Sequence, residues 1–216
     1  NSNTPITISL QGEWGSGKTS LMNSLKQNLS DGDNSKYHSI WLNTWEYALM
    51  KDAQSTLMDI ITGLIQETSK IANIDETTTK KLLGKLWSGI KDTSKVVAKN
   101  ALDKTIDGAG SVIDAFSNKG KSSISEVRTE LEKIIEKCIK EDEKQGFIFF
   151  IDDLDRIDPP IAVQLLELLK NIFTLKNCVF ILAIDYDVVI KGLEPKFGKL
   201  TEKNEREFRS FFDKII

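Results

Sequence analysis

GEWGSGKTS, residues 12–20, packs three glycines, a lysine and several hydroxyls into nine positions, directly after the alternating stretch TPITISLQ (4–11). Glycine loses more conformational freedom on ordering than any other residue, so three in one short loop require a geometric reason. The string satisfies G-x-x-x-x-G-K-[ST] as Gly12-Glu-Trp-Gly-Ser-Gly17-Lys18-Thr19. It stands between a strand pattern, ITISL (6–10), and a helical one in which Leu21, Met22, Leu25 and Leu29 recur from Gly17 onward. A backbone free of side chains curls until successive N–H groups point into one cavity, and the following helix adds its positive end. The expectation is a phosphate cradle formed by Gly12, Trp14 (through its N–H alone), Gly15, Ser16, Gly17, Lys18, Thr19 and Ser20. Lys18 would reach the β- and γ-phosphates and Thr19 would place its hydroxyl on Mg²⁺.

A phosphate loop calls for a second element, an apolar strand ending in a carboxylate. GFIFFIDDLDR (146–156) supplies it. Asp152 is expected to hold Mg²⁺ through water, and Asp153 to orient an attacking water; capping the helix ahead is the alternative for Asp153. Asp185 ends a third apolar run, CVFILAID (178–185). It could sense the γ-phosphate or cap the helix of DYDVVIKGL, and both readings stand. Arg156 could serve a neighbouring subunit's phosphate or pair with Asp155 or Asp158. The N-K-x-D string of guanine recognition is absent: Asn118-Lys119-Gly120-Lys121 lacks the aspartate, which favours ATP.

The remaining pattern completes an α/β architecture. SIWLNTW (39–45) reads as a strand and 48–71 as a helix burying Leu57, Ile60, Ile61, Leu64 and Ile65. A charged helix is expected from Ser125 to Lys144, and another opens at Pro159 and Pro160, where a first turn tolerates proline. Wholly apolar strands between helices imply a mainly parallel sheet covered on both faces, a three-layer sandwich. Residues 73–125 interrupt this rhythm with an inserted amphipathic helical segment; within it, 80–104 holds seven lysines against two aspartates. Lys81, Lys85, Lys95 and Lys99 share one face of that helix, opposite Leu83, Leu86, Ile90 and Val97. Trp14 and Trp45 are assigned to packing at the sheet edge.

Composition sets the outer limits. The 216 residues are 40% hydrophobic and 28% charged with a net charge of -3, enough to bury a core and a poor match for a nucleic-acid coat. Cys138 and Cys178 lie outside any paired spacing and His38 is the one histidine, so zinc sites and Cys–His catalysis find little support. No basic, apolar leader opens the chain, and its apolar runs are too short to span a bilayer. It starts without Met and stops inside the helical pattern EREFRSFFDKII, which reads as a segment of a longer protein. The expected location is the cytoplasm, with the basic segment offering contact with an anionic membrane.

Taken together, GEWGSGKTS, LNTWEY (42–47), FFIDDLDR, VFILAIDYDVV and the tail FRSFFDKII make the chain resemble the KAP-type P-loop NTPases. These pieces lie at both ends and leave 73–125 unmatched. The resemblance implies an additional-strand P-loop fold, with CVFILAI lying between ITISL and FIFFI. It implies ATP hydrolysis coupled to assembly or signalling and, for bacterial members, a part in defence against phage. Many relatives carry transmembrane helices where this chain has its charged segment. Two other functions compete: an ATP-gated oligomerisation switch with little turnover, and a module binding lipid, nucleic acid or another partner through the basic segment. The partners expected are ATP and either further copies or other domains of the parent chain.

Overall fold

The computed structural model describes residues 4–32, 35–48, 53–85, 118–172 and 174–215. Four parallel strands form one sheet: β1 (Ile6–Gln11), β2 (Tyr37–Asn43), β3 (Gly146–Asp152) and β4 (Cys178–Ile184), in the spatial order β1-β4-β3-β2. The strand of CVFILAI therefore lies between the loop-bearing strand and the strand that ends in Asp152, as the family resemblance implies. The register pairs Gln11 with Ile184 and Asn43 with Asp152, so all the carboxyl ends that matter lie along one edge.

Position in the sheet accounts for the composition of each strand. β3, with neighbours on both sides and helices on both faces, is buried at all seven residues and is apolar up to its last. Its alternation sends Phe147, Phe149 and Ile151 to one face and Ile148 and Phe150 to the other. The first face carries the larger core. Against it pack α3 (Ala53–Ile71), a helix over 76–85 (α4), α5 (Asn118–Glu141), α6 (Pro159–Ile172) and α7 (Tyr186–Phe197). Phe149 and Phe180 stack across β3 and β4 at 4.8 Å. The second face is covered by α1 (Lys18–Ser30), whose Met22 is fully buried over Ile148, Phe150 and Ile181.

Several sequence expectations shift in detail. β2 ends at Asn43, and Thr44–Ala48 is a short helix, α2, rather than the end of the strand. The reason is local: the Asn43 side chain accepts the Trp45 N–H at 3.2 Å and turns the chain. Leu57, Ile60, Ile61, Leu64 and Ile65 are buried as expected, whereas Leu21 and Leu29 of α1 are among the exposed apolar residues. α5 already runs at Asn118, so no helix starts at Ser125, and the proposed insert boundary falls inside a continuous helix. Leu82 of α4 joins the large core, so the first part of that segment packs on the domain. Lys95, Lys99, Leu86, Ile90 and Val97 lie outside the described residues. The final helix, α8 (Glu205–Ile215), buries Phe208 and Phe211 in the same core.

Candidate functional site

Positive φ values fix the loop. Gly15 (φ 81°) and Gly17 (φ 89°) occupy backbone conformations that L side chains rarely adopt, and Gly17 leads directly into α1. The Gly12 N–H binds the Ile184 carbonyl at 3.3 Å, tying the start of the loop to the end of β4. Across from it, β3 delivers its acidic end. Together they enclose a cavity of about 280 Å³ lined by Trp14, Gly15, Ser16, Gly17, Lys18, Thr19 and Ser20 on one side, and by Asp152, Asp153, Asp155 and Arg156 on the other. Two stretches more than 130 residues apart thus meet, because β1 and β3 flank β4 in parallel and end at the same level.

Four of the charged groups lining the cavity are held in two ion pairs. Lys18 bends back over the loop, donating to the Gly12 carbonyl at 2.7 Å and the Glu13 carbonyl at 3.1 Å, and pairs with Asp155 at 2.8 Å. Both side chains of that pair are nearly buried, 10% and 7% exposed. Sequence reasoning missed Asp155; only its place within the acidic run 152–155 marked it out. Arg156 pairs with Asp153 at 2.6 Å, not with Asp155 or Asp158. A one-turn 3₁₀ helix over Leu154–Arg156 causes this, aligning residues three apart.

Asp153 sits in the left-handed region (φ 60°, ψ 27°), which a short polar side chain tolerates at a cost. Burial, and then the neighbouring Asp152, push its carboxyl above the ordinary carboxylate range; Arg156 works against both. Asp152 is 3% exposed and accepts the Asp153 N–H at 2.9 Å. Among the described residues it enters no ion pair, so its buried charge calls for a cation. With Thr19 lining the same cavity, the donors are hard oxygens of the type that Mg²⁺ prefers.

The stretch LNTWEY closes the site from the side. Thr44, fully buried, donates its hydroxyl to the Asp152 carbonyl at 2.9 Å. Trp45 lies under the Arg156 guanidinium, 5.6 Å from ring centre to Cζ, so Arg156 is held between an indole and the Asp153 carboxylate. Two motifs that look unrelated in the sequence are therefore one contact. Trp14 does not pack at the sheet edge: it is 77% exposed at the rim of the cavity. Asp185 stands outside the cavity lining and accepts the Asp187 N–H at 2.9 Å as the cap of α7. Among the described residues of α8 none lines the cavity either.

A family model described as the KAP family P-loop domain matches residues 1–216, running through the stretch that the short motifs left unmatched. The Phage T7 exclusion protein of Escherichia coli (strain K12) is similar at 24% identity over 201 residues, covering 87% of this chain and 27% of that protein. The chain thus spans about a quarter of that relative's length. Among the described residues no helix is long and apolar enough to cross a membrane.

Proposed function

The chain belongs to the KAP family of P-loop domains, and on that premise we propose that it binds ATP with Mg²⁺ and hydrolyses it as the motor or switch of a larger assembly. The observation that carries this reading is the single cavity in which Gly15–Ser20 face Asp152 and Asp153. Loop amides and the α1 N-terminus receive the polyphosphate, and Lys18 turns from Asp155 to the phosphate oxygens. Thr19 and Asp152 are the residues to hold Mg²⁺, which when bound neutralises charge on the β- and γ-phosphate oxygens. Asp153, with its raised proton affinity, orients the attacking water and accepts its proton. Asp185 holds the start of α7 beside the loop, one residue beyond the Ile184 carbonyl that binds Gly12. Catalysis on this account is positioning and charge compensation.

A second reading, an ATP-gated switch with slow turnover, has its own support. Lys18 and Asp153 are both engaged in ion pairs, with Asp155 and Arg156, and both pairs must open before either residue acts. Loading would then do the conformational work, while a neighbouring copy or another domain completes the catalytic set. Similarity to the phage exclusion protein brings antiphage defence into the proposal, with the cytoplasm as the place of action.

Calorimetry with ATP and GTP, each with and without Mg²⁺, tests the site. The expected result is Mg²⁺-dependent ATP binding that Lys18→Ala removes. Phosphate release across a protein concentration series then separates the two functions. Turnover that Asp153→Asn abolishes supports hydrolysis; ATP-dependent growth in mass with negligible turnover supports the switch. Equal heats for Lys18→Ala and the unaltered chain would overturn both.

A further inference from the structure

At the opposite end of the sheet, His38, Cys138 and Asp142 converge. His38 is the second residue of β2, Cys138 lies in the last turn of α5, and Asp142 is one residue beyond it, its N–H bonding the Cys138 carbonyl at 2.9 Å. Their donor atoms form a triangle: His38 Nε2 to Asp142 Oδ2 is 3.0 Å, Cys138 Sγ to Asp142 Oδ2 is 3.4 Å, and Cys138 Sγ to His38 Nε2 is 3.6 Å. With Zn–N and Zn–O bonds of about 2.0 Å, Zn–S of about 2.3 Å and tetrahedral angles, the three edges of a zinc site measure about 3.3, 3.5 and 3.5 Å in the same order. The triangle already has those proportions, with its nitrogen–oxygen edge slightly short because those atoms bond to each other directly.

We propose that His38, Cys138 and Asp142 form a three-ligand zinc site, with water as the fourth ligand. Imidazole and thiolate together select zinc over the harder magnesium and calcium. The two elements are held together independently of the triad. Glu143 turns at φ 53°, Lys144 N–H binds the Ile139 carbonyl at 3.0 Å, and Gln145 N–H binds the Lys36 carbonyl at 2.7 Å, pinning the α5 end to the start of β2. The Lys144 ammonium, whose charge disfavours a further positive charge at His38, is itself engaged by the Ser35 hydroxyl at 2.9 Å. Access is through Asp142, whose side chain is 41% exposed, while His38 is 16% exposed. Zn²⁺ binding breaks the Cys138 S–H bond, forms Zn–S, and releases one proton to solvent. Five residues of β2 at about 3.3 Å each put this site roughly 17 Å from Asn43 and the Asp152 end, so it neither needs nor tests the nucleotide reading.

Co²⁺ is the probe, added to the nucleotide-free chain. The expected result is a thiolate-to-cobalt charge-transfer band with the visible bands of four-coordinate cobalt, saturating at one equivalent and bleached by Zn²⁺. Asp142→Asn should weaken binding at least tenfold, the loss that even outer-shell partners produce. Because Asp142 is half-exposed, that variant keeps its fold, which far-UV circular dichroism checks. Cys138→Ser should remove the charge-transfer band. The proposal is overturned if no such band forms, if it survives in Cys138→Ser, or if folded Asp142→Asn binds cobalt as tightly as the unaltered chain.

Discussion

Lys18 and Asp155 form an ion pair at 2.8 Å inside the cavity where a phosphate would sit, and the same ammonium also takes two loop carbonyls. An incoming polyphosphate must displace the carboxylate. A charge-assisted hydrogen bond contributes about 1.5–3 kcal/mol, so this competition lowers apparent affinity by roughly tenfold or more. Asp155→Asn keeps the shape and removes the competing charge. Calorimetry with ATP–Mg²⁺ should show binding tightened about tenfold; unchanged or weaker binding would show that Lys18 is not held back by Asp155.

The Asp153 carboxyl predicts a pH signature in stability. Its folded-state proton affinity is raised, by burial first and by Asp152 second. The native chain then binds more protons than the unfolded chain at pH values above the ordinary carboxylate range. Stability attributable to this group is therefore complete at lower pH and lost as pH rises through the folded value. Asp153→Asn does not titrate. Denaturant midpoints without nucleotide or divalent cation should show the variant gaining on the unaltered chain as pH increases from 3.5, then levelling. A gap that stays constant with pH would refute the assignment.

Thr44 is a positioning residue. Its hydroxyl to the Asp152 carbonyl is a buried contact between the end of β2 and the end of β3. Thr44→Val preserves shape and deletes the donor, which should cost about 1–2 kcal/mol of stability in urea. Slackening the Asp152 backbone should also weaken Mg²⁺-dependent ATP binding while Mg²⁺-independent binding stays the same. That split separates positioning from general destabilisation, which would weaken both alike.

The meeting of the glycine loop with the acidic end of β3 was legible from local signals, spaced glycines and an unbroken apolar run ending in acid, and the strand order from a family likeness. Partner choice within DDLDR was not. Whether Arg156 meets Asp153, Asp155 or Asp158 depends on one 3₁₀ turn, and sequence pattern does not specify a single turn. Trp14 illustrates another limit, since an aromatic residue next to glycines reads as packing, yet it stands 77% exposed at the cavity rim. His38 and Cys138 looked solitary for a third reason. A hundred residues separate them, and only the parallel pairing of β2 with β3 brings the end of α5 alongside.

Two glycines in helices should respond to alanine with opposite signs. A Cβ on Gly192, in α7, would collide with the Pro159 carbonyl and lie 2.7 Å from Val163 Cγ2, so the backbones of α6 and α7 approach too closely for a side chain. Alanine gains about 1 kcal/mol of helix propensity there but incurs about 1–3 kcal/mol of overpacking, and the colliding carbonyl is main chain that cannot rotate away. The upper part of that range should apply, leaving Gly192→Ala about 1–2 kcal/mol less stable. Gly84, in α4, meets nothing within 4 Å among the described residues, so Gly84→Ala should raise stability by up to about 1 kcal/mol through propensity alone. Urea midpoints for both variants check the pair. If Gly192→Ala proved the more stable of the two, the close approach of α6 and α7 would be wrong.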